Sequence, residues 1–418
     1  MRWRCGGVRM ITSSAATTPA VGDGKRPAGV RSSTRYFAEV ESLRGLAILL
    51  VFVFHAAAVL WPLAGRPGTR VSLLAAFVWA GHTGVSLFFV LSAFLLSQPF
   101  LREGAGGGAV ARLDYYKRRA LRILPLYYVA VVVAVLWTVR RPADLWHSLP
   151  CLLFVPCSAA SLFPFSSVWW SLATEVQFYV LLPLLPYALG TRTGRWIGTL
   201  AFAVYAALYG YVTMRGGTWF LFGGGPERIP MQQALVHSLF GRAPLLLAGI
   251  LASYIHCRWA LPIARRLSQR AWLRRGGADL LLLATVSGLG YLLRAVVDVG
   301  YWHAELVRPG WHVVEGVLWA IVLLLLLLAP LRTKPLLCNR ALAAIGVVSY
   351  SVYLNHVPIL YAAFVVLPVR LPLLAPERLV GRTPLAVVLV GAVSLGVAAL
   401  TYRCIERPFL VRKAQLDR

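Results

Sequence analysis

Charge is what this chain has least of. Only 14% of its 418 residues are Asp, Glu, Lys or Arg, against roughly 25% in a soluble globular protein, while 59% are hydrophobic. That composition excludes a water-soluble domain and a disordered chain alike, and the apolar residues lie in long blocks. Acidic residues are scarcer still, 15 against 42 Lys and Arg, for a net charge of +27. Nucleic-acid binders share such an excess. Here, however, the Lys and Arg sit at the ends of apolar blocks, where they orient membrane helices. The expected partner is a lipid bilayer, with no nucleic acid. The six cysteines (Cys5, Cys151, Cys157, Cys257, Cys338, Cys404) form no CxxC and no Cys/His spacing of a metal site, so neither metal nor bound cofactor is expected. Cys151 and Cys157 can bridge if their loop faces an oxidising compartment. The first 36 residues lack an apolar core, which excludes a secretory signal peptide. Residues 1–36 are read as a disordered cytosolic tail. A targeting peptide, or a true start at Met10, remains open.

What is present is a set of membrane spans. A transmembrane helix needs about 20 mostly apolar residues. Ten stretches qualify, near 43–62, 80–101, 121–139, 168–189, 196–213, 234–255, 278–299, 311–330, 341–368 and 384–402. The ninth is long and contains Pro358, so a tilt or kink is expected. The stretch 143–165 is apolar but broken by Pro150, Pro156 and Pro164, and reads as re-entrant or interfacial. With the amino terminus inside, inner segments hold about 30 of the 42 Lys and Arg and outer loops about 10. The clearest inner loop runs from His256 to Arg275. The expectation is an all-α membrane protein, a polytopic bundle of about ten transmembrane helices with both termini cytoplasmic. Residues 37–410 form the membrane domain and 411–418 a short cytosolic tail.

Ionisable residues inside spans cost a few kcal/mol each on insertion scales, so each needs a reason. The first span carries Arg44 and, eleven residues on, His55. Eleven steps of 100° end about 20° past three turns, so the two share a face roughly 16 Å apart. Either Arg44 snorkels and a neighbouring helix satisfies His55, or the pair is functional. Arg118 and Arg122 are i,i+4, and Arg119 and Arg122 are i,i+3. They serve either topology or an anion such as phosphate, which guanidinium groups bind bidentately. Glu175 lies just inside the fourth span, behind Trp169 and Trp170. It needs a partner, for which Arg242 and Arg294 are candidates, or an aqueous cavity. In the ninth span Ser349, Tyr353 and His356 form one polar stripe, beside Asn355. Arg294 and Asp298 are i,i+4 and read as a structural pair.

The segments LRGLAILLVFVFH, FFVLSAFL, RRALRILP, WSLATEVQFY, SYSVYLNH and the terminal ERPF occur in this order between about residues 38 and 410. Together they resemble the bacterial membrane-bound acyltransferase family 3, polytopic O-acyltransferases of carbohydrates, antibiotics and envelope polymers. Ser92, Trp170, Ser349, Glu406 and Arg407 carry these motifs and are expected to serve structure. The chain departs from the family at Ala93, where SGF is common, and at Ser86, often aspartate. It departs again at Glu41–Ser42, usually an aspartate-containing approach, and at Val176 after Glu175, where EE is common. The lost glycine bears on helix contact and the lost acidic groups on acceptor choice. The family's frequent hydrolase-like extension is not expected, since about fifteen residues follow the last span. The essential Arg44–His55 pair is intact, which implies an active enzyme of the inner (plasma) membrane.

The resemblance further implies acyl-CoA as co-substrate, with its phosphates near Arg44, Arg118, Arg119 and Arg122. His55 is then the general base on an acceptor hydroxyl, a task suited to a neutral imidazole, or it carries the acyl group itself. Glu175 orients the histidine or the acceptor, and Tyr353 and His356 donate to the oxyanion. The depth order read from the spans is arginines innermost, His55 central, Glu175 and His356 in the outer half. The acceptor is a hydroxyl-bearing glycan or glycosylated small molecule. Phe52, Phe54, Phe88 and Phe89 favour a short acyl group, although such residues pack any bundle. A transporter or flippase also fits buried charges, though no internal repeat is present, and a catalytically inactive scaffold is the other rival.

Overall fold

A bilayer offers no partner to backbone N–H and C=O groups, so a spanning chain must satisfy them within helices or a closed barrel. The computed structural model describes residues 37–60, 71–142, 145–146, 149–154, 162–218, 229–370 and 383–415, and among these it contains helices and no strand. The helices begin with α1 (Ala38–Leu60), α2 (Leu73–Trp79), α3 (Thr83–Gly104), α4 (Arg112–Thr138), α5 (Leu149–Leu152), α6 (Trp169–Leu181) and α7 (Leu185–Gly190). Next come α8 (Arg192–Met214), α9 (Ile229–Val236), α10 (Leu239–Gln269), α11 (Ala278–Val299), α12 (Tyr301–Val307) and α13 (Trp311–Leu328). The last are α14 (Lys334–Leu337), α15 (Arg340–Val347), α16 (Ser349–Tyr361), α17 (Leu367–Arg370), α18 (Thr383–Thr401) and α19 (Arg407–Gln415).

Among the described residues ten helical stretches are long and apolar enough to cross a membrane, in the order expected from the sequence. The protein is a multi-pass membrane bundle. Its spans are α1, α3, α4, α6–α7, α8, α9–α10, α11, α13, α16–α17 and α18–α19. Helix α3 is the hub, with most of its apolar stretch buried inside the bundle, whereas α8 and the last span are largely exposed at the rim. Three boundaries differ most from expectation, the first being that α10 runs on to Gln269, so much of the inner loop expected from His256 is helical. Helix α4 begins at Arg112, so the whole Lys117–Arg122 run is helical and its i,i+3 and i,i+4 pairings hold. The ninth span, read as one stretch near 341–368, breaks at Val348 into α15 and α16, and a π-turn at Ala362–Val366 follows Pro358. The break has a tertiary cause. Helix α15 lies against α1 so closely that a Cβ on Gly45 would run into the Leu342 carbonyl, and one on Gly346 into that of Glu41. Small residues permit this approach where no hydrophobic driving force separates helix from lipid.

The described part of the broken apolar stretch, α5, is tied to α4 by the Tyr127 hydroxyl donating to the Cys151 carbonyl at 2.6 Å. Cys157, the suggested partner of Cys151, and the tail 1–36 lie outside the described residues. Ala93, which replaces the family's glycine, is fully buried in α3. Gly249 of α10 faces it: a Cβ there would come 2.7 Å from the Ala93 methyl. The glycine missing from α3 is thus supplied across the contact.

Candidate active site

Two helices set up the site side by side. Arg44 of α1 donates to the Ser349 hydroxyl of α16 at 3.2 Å. Further along the same helices, His55 Nδ1 lies 3.2 Å from His356 Nε2. The steps are eleven residues on α1 and seven on α16, and the length of the arginine side chain takes up the difference. The expected polar stripe is therefore real, with Ser349, Tyr353 and His356 all buried on α16.

The partners fix the tautomers. His356 Nδ1 lies 2.8 Å from the Tyr353 carbonyl and 3.1 Å from that of Val352, so this nitrogen carries the proton and Nε2 is an acceptor. His55 Nδ1 faces two acceptors in turn, the Val51 carbonyl at 2.9 Å and His356 Nε2. It too is the protonated nitrogen, which leaves the lone pair of a half-buried imidazole on Nε2. His356 fixes the His55 ring, and its single N–H is committed to backbone carbonyls, so it has no proton to donate as the sequence suggested. Tyr353 is also committed: its hydroxyl donates to the Val168 carbonyl at 2.9 Å and lies 2.6 Å from the Ser171 hydroxyl.

Below this pair, toward Arg44, a cavity of about 140 Å³ opens between α1, α3, α4, α6 and α16. Arg44, Arg119, Arg122 and Glu175 supply its charge, and Phe88 and Phe89 are among its apolar walls. Phe52 packs instead with Ala56, Leu360 and Phe364. Arg44 lies 3.6 Å from Glu41, and Arg122 is paired at 3.2 Å with buried Glu406, which also accepts from Ser351. Arg119 lies over the Tyr179 ring with its Nε buried and without a partner among the described residues. Arg118, expected beside them, does not line the cavity, and Arg407 is exposed at the start of α19.

Glu175 is where the expectation and the structure diverge. It accepts from the Ser92 hydroxyl and is hydrogen-bonded with Tyr179, and it pairs with neither Arg242 nor Arg294. It shares the cavity of the arginines instead of lying toward the other end, while His356 lies level with His55. Arg294 keeps to Asp298 at 4.0 Å. Arg242 joins a buried network that the sequence reading missed. Its guanidinium grips Glu305 of α12 at 2.9 and 3.3 Å and touches His312 of α13. His312 Nδ1 lies 2.9 Å from Glu315, which accepts from Thr83 of α3 at 2.6 Å. Trp319 donates to that threonine at 2.8 Å. Burial opposes ionisation of Glu305, but Arg242 and then His312 outweigh it and hold the carboxyl below its usual range. Arg242 also covers Trp170, which stacks on His237 at 3.9 Å. The signal was available in part: His312 and Glu315 are an i,i+3 pair inside an apolar span. Their link to Arg242, 70 residues away from His312, is not local.

Comparison with known proteins sets this geometry in context. No solved structure matches. The peptidoglycan O-acetyltransferase OatA of Listeria monocytogenes is 25% identical over 408 residues, covering 90% of this chain and 56% of that protein. The O-acetyltransferase OatA of Staphylococcus aureus is 23% identical over 349 residues, covering 78% of this chain and 51% of that protein. The putative peptidoglycan O-acetyltransferase YrhL of Bacillus subtilis is 27% identical over 173 residues, 36% of this chain and 24% of that protein. The chain thus spans about half the length of the first two. The profile described as an acyltransferase domain matches residues 37–403, and so takes in every residue of the His55–His356 pair and the arginine cavity: the chain belongs to the acyltransferase 3 family.

Proposed function

We propose that this chain is an integral membrane O-acyltransferase that moves a short acyl group, such as acetyl, from acyl-CoA to a hydroxyl of a sugar-bearing acceptor. The observation that carries this reading is the imidazole pair. His356 locks His55 in the tautomer whose Nε2 is a base, on the helix face that also holds Arg44 in a cavity of three guanidinium groups. The Arg44 guanidinium sits at the level of Ser349, seven residues of α16 before His356, so about 10 Å of helix separates the anion site from the imidazole pair, a gap that the phosphopantetheine arm of a donor anchored by its phosphates can span.

In this reading the basic end faces the cytosol of a bacterial inner membrane, in keeping with the Lys and Arg distribution. The acceptor O–H gives its proton to His55 Nε2 while its oxygen attacks the thioester carbonyl. The C–S bond breaks, and the leaving thiolate takes the proton back from the imidazolium. Phe88 packs on Tyr353 beside His356, and this bulk between the arginine cavity and the imidazole pair supports a short acyl group. Glu175, held by Ser92, serves in orienting the reacting groups. The names of the relatives support acetyl as the group moved and an envelope glycan as acceptor. A glycosylated small molecule is the alternative.

The test is turnover of radiolabelled acetyl-CoA by purified protein in detergent, wild type against His55→Ala. Loss of a general base lowers the rate about 10²–10⁴-fold. Acyl-CoA hydrolysis or transfer that disappears in the variant is the expected result. No turnover by wild type with acetyl-, propionyl- or longer acyl-CoA overturns the reading in favour of a transporter or scaffold.

A further inference from the structure

The end of the bundle opposite the arginines carries buried polar atoms that neither the imidazole pair nor the ion network uses. His82, the residue before α3, is 8% exposed, and both its ring nitrogens are buried without a partner among the described residues. The indole nitrogen of Trp311, at the start of α13, is in the same condition. Buried polar atoms in folded proteins are nearly always satisfied, so two such groups side by side need an explanation. They are side by side: the rings of His82 and Trp311 are 5.7 Å apart, and His82 also meets Tyr301 of α12 at 4.3 Å and Phe54 of α1 at 5.4 Å. Phe54 in turn lies 5.0 Å from His55, so a single aromatic ring separates His82 from the base.

We infer that this aromatic cage around His82 is the subsite that receives the sugar ring of the acceptor, an assignment that rests on the glycan-acceptor reading above. The chemistry of the cage is selective. A neutral imidazole offers one donor and one acceptor and an indole one donor. Neighbouring hydroxyls of a pyranose offer both, and its C–H face packs on flat apolar rings. The charges close behind the cage are consumed among themselves, Arg242 on Glu305 and His312 on Glu315, so the cage favours a neutral, hydroxyl-rich ligand over an ion. The location is also apt. Donor phosphates at the arginine cavity and a sugar at His82 approach His55 from opposite ends, and neither has to pass the other.

The test is direct binding to the purified full-length chain, read by tryptophan fluorescence, with chitotetraose as the polymer probe and methyl glucoside as the small one. Wild type is expected to bind at least one of them saturably. His82→Phe keeps the ring and removes both nitrogens, and it is expected to weaken binding tenfold or more. His82→Gln keeps a donor and an acceptor and is expected to recover part of that loss. Thermal unfolding of each variant shows whether the bundle has kept its stability. Equal binding by wild type and a folded His82→Phe, or no saturable binding of either probe, overturns the subsite. The two readings fail separately. Acetyl-CoA turnover by wild type alongside glycan affinity indifferent to His82 removes the subsite alone, whereas glycan binding without any acyl-CoA turnover removes the donor. Preference for the tetramer identifies a polymer acceptor, and preference for the monomer a glycosylated small molecule.

Discussion

Among the residues, Arg118 and Arg119 show what spacing alone cannot decide. Both stand about one turn from Arg122, and the sequence grouped all three as donor ligands. On α4 the two differ by 100° of rotation. Arg119 enters the cavity with its Nε unpartnered among the described residues, and Arg118 does not line it. A charge-assisted hydrogen bond contributes about 1.5–3 kcal/mol. Arg119→Ala is therefore expected to raise the KM for acetyl-CoA tenfold or more and Arg118→Ala less than twofold. Steady-state kinetics at fixed acceptor checks it, and equal effects would remove the cavity from donor binding. The polar stripe of Ser349, Tyr353 and His356 was legible because helical periodicity brings its members together. The partners were not, because His55 and His356 are 301 residues apart and Ser92 and Glu175 are 83. For Glu175 the sequence left a choice between an arginine partner and a cavity, because depth in a span says nothing of which helix lies alongside; the cavity is what the fold supplies.

Elements were easier to read than their contacts. All ten spans were visible, since the length of an apolar run is set by bilayer thickness and not by the neighbours. The exception is the break at Val348, which exists because α15 is drawn onto α1 through Gly45 and Gly346, a tertiary cause. The same holds for the ion network, which joins α3, α10, α12 and α13 and braces Trp170 at the start of α6. A buried pair stripped of one partner loses about 3–5 kcal/mol, while replacing both partners by apolar groups is often near neutral. Glu305→Leu alone is therefore expected to destabilise the protein by about 3–5 kcal/mol, and Arg242→Met together with Glu305→Leu by less than that. Unfolding in mixed micelles measures both. Additive losses would show that the two residues act independently.

Over the whole molecule, the two ends differ in chemistry. One gathers Arg44, Arg119, Arg122 and the paired Lys334–Glu39; the other holds His82, Tyr301 and Trp311 in front of a self-neutralised network. The basic residues predict that the first end is cytosolic. In a chain freed of its own cysteines, Ser268→Cys lies at the basic end and Arg308→Cys at the other. An impermeant maleimide is expected to label position 308 on intact cells and position 268 only after permeabilisation, and the reverse pattern would invert the topology. The parallel run of α1 and α16 has a consequence for inhibition. Because Arg44–Ser349 and His55–His356 tie the same two helices at both ends, the spacing between anion site and base is a fixed dimension of the scaffold. A bisubstrate compound that joins a phosphate to a sugar analogue through a linker spanning that distance and the further step past Phe54 to His82 would engage both ends at once. Its linker length would serve as a molecular calliper, with potency falling on either side of the matched length.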